Sequence, residues 1–462
     1  MPTATTRPAT GDSFTRYGWT VCFWILLIAF QYGYHISALN QIQAVLTCNN
    51  RPTDLLPLSF GLPPCIQMSD FAFSLVTAIF TLGGLAGSAI ANLVMDSYGR
   101  KGALRICAGA IAVGAGLMAL SGSILFLALG RFLIGIGSGI GLCVGPIFIA
   151  EISPTRISGN VGVLTQLGIV LGIMTTQIIG LRFATQSQWR YVLFFSSSLA
   201  LGQFFASPFM TESPAWLHSK GREEERKKVA SQIWGSGGYE PLLEEGNARD
   251  DSPALPDQRE KTVKIPQLFK SLEFRRPLLI VCFAMFSQQI SGINAVLYYS
   301  NDILSKSFPS LGPYLSLGIT IVNVLMTFPP IILIERMGRR QLLTVSILGA
   351  IFSLLSLGFG LNGGSLTVSS VTILTFIMSF AIGLGPLPFV ILPEVSPPRA
   401  VSALSSVALS LNWIANFLVG LLFLPLRNLL SGGDIHKEGR IFYLFGLLLF
   451  SSGFVLSKVY RR

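Results

Sequence analysis

Gln288, Gln289, Asn294, Tyr298 and Tyr299 lie inside an apolar run that begins near Leu278. In hydrocarbon an unpaired amide is costly, so such side chains must face a partner or a polar space. Amides donate and accept hydrogen bonds without charge, which suits a neutral, hydroxyl-rich molecule. Gln289, Ile293 and Asn294 recur at helical spacing, which predicts one amide-rich face. Gly292 predicts a bend there. The same amides can also glue membrane helices together, and on chemistry alone both readings stay open.

The elements that must position these amides are membrane spans. The chain has 462 residues, 51% hydrophobic and 12% charged, with a mean hydropathy of +0.61. That composition excludes a set of soluble domains. A helix needs about 20 apolar residues to cross a bilayer. Twelve such runs are predicted, at 19–39, 71–94, 103–122, 125–150, 159–181, 190–210, 277–301, 313–335, 341–361, 367–393, 400–425 and 440–459. The predicted organisation is a tail over 1–18, a six-span half over 19–210, a linker over 211–275 and a second half over 276–462.

The net charge of +11 follows from topology and is not a footprint for nucleic acid. With both termini cytosolic, 25 Lys and Arg fall on that side and eight on the other, as the positive-inside rule requires. The first run has no small-residue cleavage site, so no cleavable signal is expected. Cys48 and Cys65 fall in the first non-cytosolic loop, where a disulfide is predicted and two free thiols are the alternative. The three histidines are scattered, giving no metal constellation, and no cofactor is expected. Gly135, Gly137, Gly139 and Gly141 lie within a span, so close helix packing explains them better than a nucleotide loop.

A pattern recurs along the chain. Asp96-Ser-Tyr-Gly-Arg100-Lys and Glu151-Ile-Ser-Pro-Thr-Arg156 end the second and fourth spans. Glu335-Arg-Met-Gly-Arg339-Arg and Glu394-Val-Ser-Pro-Pro-Arg399 end the eighth and tenth. The two copies occur in the same order at the same side, a parallel repeat of six spans. Two such halves around a central cavity give an all-α integral membrane protein with the major facilitator fold. The predicted role of Asp96, Arg100, Glu151, Arg156, Glu335, Arg339, Glu394 and Arg399 is a cytosolic latch, paired in one state and parted in another. Gly385, Pro386 and Pro388 predict a breakable tenth helix that acts as a gate. Residues 220–228 have spacing for i,i+4 ion pairs on a short linker helix.

In the order of its residues, the stretch from Gln288 to Ser300 resembles the seventh span of the sugar porter family, which includes the facilitative glucose transporters. The repeated charged motifs, Glu212-Ser-Pro-Ala-Trp-Leu217, Gly130-Arg131 and Asn412-Trp413 extend the resemblance from the first span to the eleventh. The resemblance implies a sugar site of Gln166, Gln288, Gln289, Asn294, Asn323, Trp413 and Asn416. Departures are Ser97 in place of the usual Arg, Ala381 in place of Glu and Phe389 in place of Trp.

The expected function is transport of a hexose by alternating access, by a monomer, with sugar and lipid as partners. The expected membrane is the plasma membrane or an endomembrane such as the vacuole or lysosome. An enzyme is not expected, because no catalytic signature stands out. A sugar sensor on the same fold would generally carry a long cytosolic tail, which is not seen after the twelfth span. Proton-coupled members of the family pair a first-span Asp with a fourth-span Arg. Here Arg131 is present but the matching first-span position is His35, and none of the 22 acids falls mid-membrane. Facilitated diffusion is therefore expected, with a symporter using His35 and Arg131 as the alternative.

Overall fold

The computed structural model describes residues 14–48, 61–153, 158–235, 265–307, 310–397 and 400–460. In hydrocarbon every backbone polar group must be paired within the chain, and these apolar runs satisfy that as helices. The first span is Arg16–Ser37, the fourth Ile124–Ile152, the fifth Ser158–Phe183 and the sixth Trp189–Ala206. The second and third form one 50-residue helix, Asp70–Ala119, broken at Gly99 with φ 76°. At 1.5 Å per residue it is about 75 Å long, enough for two crossings.

The second half repeats this order. Its seventh span is Leu272–Ile290 followed by Ile293–Ser307, and its eighth is Gly312–Leu325 followed by Pro329–Met337. The ninth is Arg339–Asn362, the eleventh Val401–Ser431 and the twelfth Arg440–Val459. The tenth comprises Leu366–Ser379, a π-helical turn Phe380–Leu384 and Leu387–Val395. Ten helices among the described residues are long and apolar enough to cross a membrane. Counting Asp70–Ala119 as two crossings and the divided eighth span as one gives twelve. The protein is thus a multi-pass membrane protein of the major facilitator fold.

Two departures from the sequence expectations, and one expected bend at Gly292, have local causes. The eighth span divides just before Pro329 and Pro330, which cannot donate to the preceding turn. The seventh divides at Gly292, with φ 82°. The linker helix Glu223–Trp234 carries its ion pairs at i,i+3, Arg222 with Glu225 at 2.6 Å and Arg226 with Glu223 at 3.3 Å.

Glycines set the closest packing. A Cβ on Gly135 would lie 2.1 Å from the Phe80 carbonyl oxygen, so only glycine lets the fourth span meet the second. The halves meet through the second and eleventh spans and through the fifth and eighth. Hydrogen bonds joining the halves gather at the end opposite the charged motifs. There Asn40 Nδ2 donates to Ser300 Oγ at 2.8 Å, Asn301 N donates to Asn40 Oδ1 at 3.0 Å, and Asn428 Nδ2 donates to Asp70 Oδ2 at 2.8 Å. Cys48 and Cys65 are joined by a disulfide at that end, Cα to Cα 5.4 Å.

Candidate functional site

The amides of the seventh span form a bonded chain. Asn294 Nδ2 donates to Gln289 Oε1 at 2.5 Å, and Gln289 Nε2 donates to Gln288 Oε1 at 3.3 Å. Asn412 of the eleventh span donates to the same Gln288 oxygen at 2.7 Å. Gln289 and Asn294 are five residues apart, which on an unbroken helix points them to different faces. The interruption at Gly292 turns the second segment so that they meet, and its positive φ requires glycine. The shared amide face is thus made by a break, where helical spacing alone predicted it.

Gln288 also reaches the tenth span. Its Nε2 donates to the carbonyl oxygens of Leu384 at 3.1 Å and Gly385 at 2.7 Å. In a continuous helix the Leu384 carbonyl would accept from residue 388, but Pro388 has no N–H. Pro386 likewise cannot serve Ile382, and Gly385 N donates back to Phe380 O at 2.9 Å, the i→i+5 pattern of a π-turn. The gate residues Gly385, Pro386 and Pro388 thus mark a real break, held from the side by Gln288.

Asn416 and Trp413 extend the polar surface. Tyr298 donates its hydroxyl to Asn416 Oδ1 at 3.1 Å. The Trp413 indole N–H donates across the two halves to Ser88 Oγ at 3.1 Å, and its ring lies over Gly84 and edge-on to Tyr32. Gln166 is exposed on the fifth span and Asn323 half-buried on the eighth. Those two spans pack together, but neither side chain bonds to the amide chain among the described residues.

The His35 imidazole is fully buried, with Nε2 2.6 Å from Ser196 Oγ. Arg131, also fully buried, donates to the backbone oxygens of His35 at 2.7 Å and Thr77 at 3.2 Å, with its guanidinium 4.7 Å from the Phe80 ring centroid. Arg131 therefore meets the His35 backbone, and it has no carboxylate partner among the described residues. Carbonyl dipoles and an aromatic face balance its charge.

At the charged end each half makes the same pair. Arg100 grips Glu151 with Nε at 3.0 Å and a second nitrogen at 2.7 Å. Arg339, in the matching position, meets Glu394 at 2.9 Å. Asp96 is exposed. Arg156, Arg399 and the Glu335 side chain lie outside what is described. Among the described residues no bond joins the charged motifs of one half to those of the other, whereas at the opposite end such bonds are present.

Two residues of the site escaped the sequence reading. Asn412 was visible beside Trp413, but its bond to Gln288 spans 124 residues and leaves no local signal. Glu212 accepts from the backbone N–H groups of Arg100 at 2.9 Å, Lys101 at 3.1 Å and Ser213 at 2.8 Å. It caps the turn at which the third span begins. Burial pushes its carboxyl above the ordinary range, and the three N–H donors act in the opposite direction.

A fold of two six-span halves carrying amides at their seam defines a membrane transporter of the major facilitator type. The family described as "Sugar (and other) transporter" matches residues 21–461, and the chain belongs to it. A probable metabolite transport protein of Saccharomyces cerevisiae is 32% identical over 94% of this chain and 89% of its own length. The human facilitated glucose transporter member 3 of solute carrier family 2 is 35% identical, over 86% and 81%. The partially occluded inward-open structure of the Escherichia coli xylose transporter XylE matches with a TM-score of 0.76 at 20% identity, covering 96% of this chain and all of that one.

Proposed function

We propose that the protein carries a hexose down its gradient by alternating access, as a monomer with both termini cytosolic. The observation that carries this reading is the amide chain Asn294–Gln289–Gln288–Asn412. These amides bond to one another. Sugar hydroxyls can replace those bonds one for one, because each hydroxyl both donates and accepts. Little hydrogen bonding is lost on exchange, so binding stays readily reversible, as a carrier needs. Gln166, Asn323 and Asn416 complete the ring of polar groups, and Trp413 offers an indole face to the pyranose. The relatives named for facilitated glucose transport support the choice of a hexose.

The charged ends are the cytosolic latch, and Gly385 to Pro388 form the gate. Sugar competing for Gln288 loosens its hold on the Leu384 and Gly385 carbonyls, which links occupancy to the tenth span. Proton coupling needs a group that changes charge during the cycle. The His35 contact with Ser196 is served by a neutral imidazole, and the neighbouring Arg131 disfavours a second positive charge there. Protein reconstituted in vesicles and offered a panel of labelled sugars should take up hexoses in preference to disaccharides and polyols. Uptake of none of the sugars, or equal uptake of all, would refute the assignment.

A further inference from the structure

A cavity of about 290 Å³ lies away from the seam, between the ninth and twelfth spans at the charged end. Its wall is apolar, with Ile347, Ile351 and the exposed Phe450, and polar groups of its lining are Arg340, Ser457 and Tyr460. Arg340 stands at the start of the ninth helix and Ile351 eleven residues further in, so the crevice runs roughly 16 Å along the helix. Its flanks, Leu348, Phe352 and Phe454, are exposed apolar side chains of the kind that face acyl chains.

Among the described residues the charge at the mouth is mainly positive. Arg340 is exposed and has no carboxylate partner among the described residues. Arg336 and Lys458 are also exposed, Lys458 Nζ lying 5.3 Å from the Phe454 ring centroid, and Glu394 is taken by Arg339. The first half treats the matching positions differently. Lys101, which corresponds to Arg340 in the repeat, donates to the Met210 carbonyl at 3.2 Å. Arg105, which corresponds to Thr344, lays its guanidinium 4.7 Å from the Phe204 ring centroid. The basic group that serves an internal contact at Lys101 is thus an exposed guanidinium beside an apolar crevice at Arg340, and the position of Arg105 carries Thr344.

We propose that this crevice binds an acidic phospholipid from the leaflet at the charged end. The phosphate sits on Arg340 at the mouth, and one acyl chain lies between the ninth and twelfth spans. A guanidinium pairs with phosphate through two parallel N–H donors, and basic residues at this depth select anionic headgroups. The apolar length behind Arg340 selects a lipid over a soluble phosphate.

Native mass spectrometry of delipidated full-length protein, titrated with phosphatidylglycerol or phosphatidylcholine, tests the site. The parent should retain phosphatidylglycerol preferentially, and Arg340→Gln should lower that retention about fivefold, to the phosphatidylcholine level. A Cβ on Gly453 would lie 3.0 Å from Ile347, so Gly453→Leu should fill the crevice and reduce retention of both lipids. Glycerol phosphate added in excess should not displace the lipid. Equal retention of the two lipids by the parent, an unchanged preference in Arg340→Gln, or displacement by glycerol phosphate would each overturn the proposal. Because Arg340 is exposed, its variant keeps the test open even where Gly453→Leu fails to fold.

Discussion

Gln288 donates its side-chain amide to the carbonyl of Leu384, 3.1 Å away, an acceptor that Pro388 leaves without its helical donor. One side chain thereby ties the seventh span to the break in the tenth. It also accepts from Gln289 and Asn412, so its oxygen belongs to the amide chain and its nitrogen to the gate.

This division of labour separates two neighbouring glutamines. Gln288→Ala strands buried carbonyls, a loss of about 1–3 kcal/mol, and should lower the unfolding temperature of the sugar-free protein by several degrees. Gln289→Ala strands only the Asn294 amide and leaves the tenth-span carbonyls served, so its shift should be clearly smaller. Thermal unfolding in detergent without sugar checks the difference, and equal shifts for the two variants would contradict it.

Binding should show a different order. Gln289→Ala and Asn294→Ala each remove a hydrogen-bond partner of the ligand, about 1–1.5 kcal/mol, and should weaken hexose affinity about tenfold. Equilibrium binding of labelled hexose to purified variants of normal abundance measures this. Parental affinity in both variants would place the site elsewhere.

The Arg339–Glu394 pair lies within one half and is largely exposed, so its direct worth to stability is small. Its expected role is to bias the equilibrium between states. Glu394→Gln should favour the form that is parted at the charged end. Spin labels at the exposed positions Ser97 and Gln341, one on each half, should then show added weight at long distances. An unchanged distribution would count against the latch.

Glu212 gives a pH signature. Its carboxyl is held above the ordinary range by burial, so the folded protein binds that proton more tightly than the unfolded chain does. Its contribution to stability is full below the unfolded pKa and is lost as pH rises through the folded pKa. Glu212→Gln should flatten this part of the stability profile in mildly acidic solution. An identical slope in parent and variant would show that Glu212 is not its source.

The twelve apolar runs and the paired motifs around Arg100 and Arg339 are local patterns, and one chain displays them directly. The amides of the seventh span were conspicuous for the same reason, because polar groups stand out in an apolar run. How they meet was not legible. Gln289 and Asn294 are joined through the conformation of Gly292, and Gln288 finds Leu384 across 96 residues. The fusion of the second and third spans and the division of the eighth also depend on single backbone angles and missing N–H groups. Pro329-Pro330 and Pro388 did carry a readable signal, since a proline within a helical run leaves the carbonyl four residues earlier without its donor. The side chain that answers at Leu384 comes from another helix, and only the fold reveals it.

The most direct measurement is the steady-state ratio of labelled hexose inside and outside proteoliposomes under an imposed pH gradient. Protein-dependent entry should stop at equal concentrations, with the same end point in His35→Asn. Accumulation above the external concentration that disappears in His35→Asn would make the protein a proton-driven carrier, and absence of any hexose entry would contradict the account altogether.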